Sequence, residues 1–277
     1  MRECIESLKH SDNLICVGLD PDLNKIPLEF SSLDSIGAIT SFISEIVKLT
    51  SKYAAAFKIQ KAFIDLYDGP TLLKKIVKIC HKICPEKPVF IDCKIGDIEN
   101  TMSIYLKNIF ENANADGVVI NPFMGREIFE ALQKYPDRAS LVLIRTSNKG
   151  AGIIQDIVIN KNGKRLCEYI LEKILRYLNK NKNIIPIVSE YSRLSNLRRK
   201  FGDELIFLYA GVGAQGGNLN KIISLLNKEN SGVIINSSRS ILYPYDKEDK
   251  NWRSKVVYAI EELNKKILDI KGKNVQK

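Results

Sequence analysis

Pro88-Val89-Phe90-Ile91-Asp92-Cys93-Lys94-Ile95-Gly96-Asp97-Ile98 is the stretch whose reading decides the fold. It opens on four apolar residues with no polar alternation, the pattern of a strand buried on both faces. Charged residues follow with no intervening turn. Side chains two apart on a strand leave the same face, so Asp92 and Lys94 are expected to point together, with Asp97 just past the strand end. Carboxylates beside a lysine hold it in its ammonium form, and a positioned ammonium can serve as a general acid. Neighbouring surface charges ordinarily form a salt bridge of small worth. Charges set straight on the end of a buried strand fit chemistry better, and the rest of the chain supplies a matching setting.

Working outward, short apolar runs alternate with longer amphipathic ones. Strands are expected near residues 14–19, 54–60, 89–94, 117–121, 141–145, 184–189, 205–210 and 232–236. Between them run helical patterns such as Leu72, Leu73, Ile76, Val77, Cys80 and Ile83, spaced three and four apart. Strand then helix, repeated about eight times in 277 residues, predicts an α/β protein with a single (β/α)8 TIM barrel. No Ser/Gly-rich linker divides the chain, so residues 1–277 read as one domain. Residues 1–12 read as a short extra N-terminal helix and residues 269–277 as a frayed tail. Asp34 or Ser35 is expected to cap the first long helix, and Asp97 to lie near the start of the helix after the third strand. Residues 148–163 form the longest irregular segment, a candidate active-site loop.

Chemistry in such a barrel gathers at the strand C-terminal ends. Those ends carry Asp20, Lys58 and Gln60, Asp92 and Lys94, Asn121, Thr146-Ser147-Asn148, and Asn236-Ser237-Ser238-Arg239. The seventh strand runs into Gly211-Val212-Gly213-Ala214-Gln215-Gly216-Gly217. This loop matches the Gly-x-Gly-x-x-Gly dinucleotide fingerprint. It falls late in the chain, however, no acid ends the following strand to hold a ribose, and Asp92, Lys94 and Asp97 would have no task. Its physics survives either way, because glycines let backbone N–H groups approach an anion. In a barrel the loops after strands seven and eight commonly bind phosphate. Arg239 can add a charge-assisted bond of about 1.5–3 kcal/mol, and Gln215 an amide donor.

The net charge of +10 suits a polyanion or a phosphorylated small substrate. The basic runs Lys74-Lys75 and Arg198-Arg199-Lys200 and the basic tail lack interleaved aromatics, so they read as solvated faces and not as a nucleic-acid groove. Six cysteines are scattered without disulfide-like spacing. Cys80 and Cys84, with His81, lack the second Cys/His pair that a zinc site needs. The other histidine, His10, also lies away from any strand end, which speaks against His-based triads. The N-terminal residues carry no apolar core of a signal peptide, and no apolar run reaches membrane-spanning length. The expectation is a reduced, cytoplasmic, soluble protein.

The chain resembles orotidine 5′-monophosphate decarboxylase, in its longer-chain subgroup. The resemblance rests on Val17-Gly18-Leu19-Asp20, Phe57-Lys58-Ile59-Gln60, the Asp92 to Ile98 stretch, Asn121-Pro122-Phe123, Thr146-Ser147-Asn148, Gly213-Ala214-Gln215-Gly216-Gly217 and Ser238-Arg239, all in the family's order. It implies decarboxylation of orotidine 5′-monophosphate to uridine 5′-monophosphate, the last step of pyrimidine nucleotide synthesis, with no metal and no organic cofactor. Lys94 would protonate C6 of the pyrimidine, and Asp92 would face the departing carboxylate. Asp97, Ile98 and Thr101 would reach the neighbouring subunit's site in a homodimer with shared active sites. Asp20 and Lys58 would hold ribose hydroxyls and Ser147 the pyrimidine. Gln215 and Arg239, with Ser238 beside them, would hold the phosphate. Lys149, Ala210 and Asn218 depart from the family pattern, which bears on loop stiffness and closure and not on the reaction class. With no phosphoribosyltransferase half read in these residues, the chain is not expected to be a bifunctional synthase by itself. A magnesium-dependent sugar-phosphate decarboxylase or aldolase of the same superfamily is the nearest alternative, followed by a nicotinamide oxidoreductase using the glycine loop. A basic nucleic-acid-binding protein is the alternative from a different class.

Overall fold

In the computed structural model the chain closes into a barrel of eight parallel strands in chain order. These are β1 (Ile15–Leu19), β2 (Ala54–Gln60), β3 (Val89–Ile95), β4 (Gly117–Ile120), β5 (Ala139–Arg145), β6 (Ile184–Val188), β7 (Phe207–Ala210) and β8 (Val233–Ser237). The structure describes residues 4–9, 11–159, 161, 163–178, 182–189, 198–203, 205–210, 219–223 and 226–275. Each expected strand is present within a residue or two.

The run-like strand sequences follow from burial on both faces. One face of the wall fills the barrel interior with Cys16, Phe90, Val119, Leu141, Ile185, Leu208 and Ile234. The alternate residues Val17, Ile91, Val118, Val142 and Ile235 pack outward against the helical layer. That layer includes Ser35–Thr50, which buries Phe42, Ile43 and Ile46, and Gly69–Ile83, which buries Leu72 and Ile76. Asp34 caps the first of these, its Oδ1 accepting the Gly37 N–H at 2.7 Å. The extra N-terminal helix spans Cys4–Lys9. Its Leu8 packs with Ala55, Ala139, Ile185 and Ile206 and stoppers the barrel where the strands begin. At that same end Asp116, 1% exposed, accepts the Val89 N–H and pairs with His81 at 2.8 Å. His81 therefore serves the closed end of the barrel, and Cys80 and Cys84 are buried as helix packing.

Two segments depart from expectation. The final helix spans Trp252–Val275 and does not fray after Leu268. Ile267 is buried and Ile270 packs on the core, while Lys271 Nζ donates to the Asp12 carbonyl at 3.4 Å. Residues 148–163 are also not simply irregular. They contain a 3-10 turn at Lys149–Ala151 and a helical turn at Gly152–Gln155, and Val158 bridges antiparallel to Arg165. Among the described residues no helix is long and apolar enough to cross a membrane.

Candidate active site

The mouth of the barrel is organised by an irregularity in β3. Pairing with β4 runs in step through Asp92 and then skips to Ile95, and Lys94 lies at φ 48°. A non-glycine residue in the left-handed region is strained by about 1–3 kcal/mol, and such outliers gather where a side chain must be aimed. Simple alternation is thus not what joins Asp92 to Lys94; the bulge is. It leaves Lys94 Nζ 2.6 Å from Asp92 Oδ1. The other carboxylate oxygen, Oδ2, accepts from Lys58 Nζ at 2.7 Å. Lys58 and Asp92 are buried, at 6% and 8% exposure, whereas the Lys94 side chain is 47% exposed and looks out of the mouth.

Burial alone would raise the Asp92 pKa, but the two ammoniums outweigh it and hold the carboxyl below its usual range. Burial pushes the Lys58 ammonium down, yet Asp92 and Asp20 more than offset this and its pKa is raised. Lys58, Asp92, Lys94 and Asp20 therefore alternate in sign around one point. One carboxylate fixes two ammoniums: one sealed in the barrel, one free to face a ligand.

Asp20 sits just past β1 and behaves oppositely to Asp92. Burial raises its pKa, and Lys58 and the Ser238 hydroxyl only partly pull it back. Its Oδ1 is buried without a hydrogen-bond partner, a condition that native structures seldom tolerate without a reason. The end of β1 and the segment after β8 meet closely here: a Cβ on Gly18 would lie 1.8 Å from Ser238 Oγ, so only glycine fits. Tyr243 ties the same two segments. Its hydroxyl donates to the Asp20 carbonyl at 3.0 Å and accepts from the Asp22 N–H at 2.8 Å.

A carboxyl whose folded pKa is raised gives stability that is fully present below its unfolded pKa of about 3.9 and lost as pH rises through the folded value. Charged Asp20 thus costs stability at pH 7. Asp20→Asn, which mimics the neutral form, is expected to melt at a higher temperature than the parent at pH 7, with the gain vanishing below about pH 4. An unchanged or lower melting temperature at pH 7 would contradict the assignment of strain to this carboxylate.

Asp20, Lys58, Asp92, Lys94 and Ser238 come together as expected. Asp97 does not join them within one chain: among the described residues it forms no ion pair with Lys94, and its Oδ1 accepts the Ile98 N–H at 2.8 Å. Ile98 and Thr101 are exposed at the start of the helix Glu99–Leu106. Ser147 is exposed just past β5, and Arg239 is exposed as the first residue of the short helix Arg239–Leu242. Gln215 and its glycine loop lie outside the described residues. Three features went unread in the sequence. Lys58 is an ion-pair partner of Asp92. Buried Ser189 Oγ and Asn236 Oδ1, at the ends of β6 and β8, have no hydrogen-bond partner. Arg145, Gln155 and Asp156 form a bonded group behind Thr146. The polar ends of β6 and β8 were the signal for the second. Gln155 and Asp156 of the third fell in the 148–163 segment, which the sequence marked only as a candidate loop without its contacts.

A family model described as Orotidine 5'-phosphate decarboxylase / HUMPS family matches residues 13–251. A protein of Cupriavidus necator named orotidine 5'-phosphate decarboxylase is 34% identical over 244 residues, spanning 87% of this chain and 88% of the relative. A like-named protein of Cellvibrio japonicus is 32% identical over 252 residues, spanning 88% of this chain and 91% of the relative. Among solved structures, Leishmania donovani OMP decarboxylase superposes with a TM-score of 0.79 at 27% identity, covering 96% of each chain. The UMP synthase of the same organism gives a TM-score of 0.80 at 29% identity, with 96% of this chain covering 55% of that one. The sequence match over most of the chain and the matching barrel agree: the chain belongs to the orotidine 5'-phosphate decarboxylase / HUMPS family.

Proposed function

We propose that the protein decarboxylates orotidine 5′-monophosphate to uridine 5′-monophosphate, with Lys94 as the proton donor. The observation that carries this reading is the chain Lys58–Asp92–Lys94, which aims one ammonium out of the mouth at a fixed point. When carbon dioxide leaves C6, the bonding electron pair stays on the ring carbon. A preorganised ammonium stabilises that charge without having to reorient. The Lys94 proton then passes to C6, and the amine regains one from water. Asp92 restrains Lys94 and faces the substrate carboxylate; the greater share of the effect is assigned to the lysine, because it acts on the charge that develops.

The ribose roles of Asp20 and Lys58 follow from unmet bonding capacity. Asp20 offers a buried acceptor, and Lys58 has donors beyond the one given to Asp92. Together they suit the vicinal hydroxyls of a ribose. Ser147 would meet the pyrimidine, and Gln215 and Arg239 the phosphate. Phosphate binding far from C6 can still raise turnover, by favouring closure and orientation. Arg239→Ala is expected to raise KM by about 10- to 100-fold, the scale of one charge-assisted bond. An unchanged KM would remove Arg239 from the phosphate site.

Two copies would share their sites. Ile98, Ile104 and Tyr105 are 60%, 61% and 41% exposed, and Phe123 and Met124 are 81% and 46% exposed. Positions 98, 101, 104 and 105 follow helical spacing along one face, next to Asp97. A cavity of about 420 Å³ bordered by Gln60, Leu73, Cys93, Ile95 and Tyr105 adjoins it. A concentrated apolar patch of this kind marks an interface. We assign the protein to the cytoplasm, where free cysteines stay reduced.

The direct test is to mix the purified protein with orotidine 5′-monophosphate in the presence of EDTA and follow the near-ultraviolet absorbance. Conversion to uridine 5′-monophosphate supports substrate, reaction and metal independence together. Activity on a sugar phosphate that EDTA abolishes would favour the magnesium-dependent relatives instead.

A further inference from the structure

The segment after β5 is tied back onto the strand end by bonds that the reaction itself does not require. Arg145 Nε donates to both carboxylate oxygens of Asp156, at 3.1 and 3.2 Å, and Arg145 Nη2 to Asp156 Oδ2 at 2.9 Å. Arg165 Nη1 lies 3.4 Å from Asp156 Oδ1. The Arg145 and Asp156 side chains are only 15% and 22% exposed, so solvent screens this pair less than an ordinary surface bridge. One residue earlier, Gln155 Oε1 accepts the Thr146 N–H at 2.9 Å, and Gln155 Nε2 donates to Thr146 Oγ1 at 3.0 Å. The Thr146 hydroxyl spends its proton on Asn148 Oδ1 at 2.7 Å. Both neighbours of Ser147 are therefore bonded in place, while Ser147 itself is exposed at the mouth.

We propose that Gln155 and Asp156 are positioning residues that hold the Thr146-Ser147-Asn148 turn in its ligand-binding shape before the substrate arrives. The proposal rests on the reading of Ser147 as the pyrimidine contact. A turn of three polar residues at the end of a strand would otherwise sample several conformations, and each binding event would have to order it. Fixing it beforehand removes that cost from binding. The two side chains divide the task. Gln155 meets both polar groups that Thr146 turns towards it, while Asp156 anchors the turn's base to the barrel wall through Arg145. Neither touches the reacting atoms, so their loss should appear in KM before kcat.

The test is steady-state kinetics with orotidine 5′-monophosphate on Gln155→Leu and Asp156→Asn, on Asp156→Glu, and on each variant combined with Ser147→Ala, together with amide hydrogen exchange across residues 146–159. The expected result is a KM raised about 10-fold in Gln155→Leu and Asp156→Asn, on the scale of one lost net hydrogen bond to a charged or restrained group. The change in kcat should be smaller, with partial rescue by Asp156→Glu and faster exchange at residues 146–156. Ser147→Ala should lose most of its own effect in either background, because coupled residues are non-additive. An active parent whose KM and exchange are unmoved by the substitutions, or whose effects add to that of Ser147→Ala, would overturn the latch and leave the decarboxylase reading standing. A parent inactive on this substrate, with exchange protection lost in Gln155→Leu, would overturn that reading and retain the latch.

Discussion

Lys94→Ala is expected to lower turnover by at least about 10²–10⁴-fold, the range for one positioned proton donor, with little change in melting temperature. Among the described residues, the other ammonium bonded to Asp92 is Lys58, and it cannot take the place of Lys94 because it is buried and committed to the opposite carboxylate oxygen. The fold should tolerate the loss. Asp92 keeps its buried partner, so no uncompensated charge is left inside, which is the circumstance that makes broken buried pairs costly. The substituted side chain is also half-exposed, so its loss uncovers little of the interior. Binding of uridine 5′-monophosphate should persist, since the groups proposed for ribose and phosphate are untouched. Single-turnover kinetics, melting and product binding check the three statements together. Near-normal turnover by a folded variant would sink the assignment of the proton donor.

That expectation grew from a sequence pattern whose conclusion held for a different geometric reason. Asp92 and Lys94 do meet, but across a bulge with a left-handed backbone at Lys94 and not through strand alternation. A pattern of residue types does not record such a bulge. The barrel itself was legible because strands buried on both faces spell themselves as Val- and Ile-rich runs, and eight of them at regular spacing admit few topologies. Lys58 was legible as a polar residue at a strand end. Its partner was not, because the pairing with Asp92 joins residues 34 apart in sequence and depends on the β2–β3 register. The Gln155 and Asp156 contacts were hidden for another reason. Helical turns of three or four residues, such as Lys149–Ala151 and Gly152–Gln155, are too short to show a 3.6-residue period, so the segment reads as loop. The end of the last helix was masked by composition: lysines crowd the sequence after Leu268, yet Ile267 and Ile270 still anchor it.

Mixing two inactive variants, Lys94→Ala and Asp97→Ala, is expected to restore activity if the sites are shared between copies as proposed. Within one chain Asp97 bonds to its own Ile98 N–H and forms no ion pair with Lys94. Its neighbours Ile98, Ile104 and Tyr105 present an apolar face that a lone subunit would leave in water. Covering that face with the same face of a second copy gives a two-fold contact, in which each chain lends to its partner what it borrows. The arithmetic of such a contact is specific. If the two variants exchange freely, half of the dimers are mixed. A mixed dimer has one site with both defects and one site with neither, because the chain that lacks Asp97 still carries Lys94 and receives Asp97 from its partner. Half of one half gives about a quarter of the parent's specific activity. Each variant alone should remain inactive at any concentration. Activity rising towards that fraction as the chains exchange would identify Asp97 as a residue that acts in trans. If mass spectrometry shows mixed dimers while activity stays absent, each site is complete within its own chain, and Asp97 belongs to some other task at the strand end.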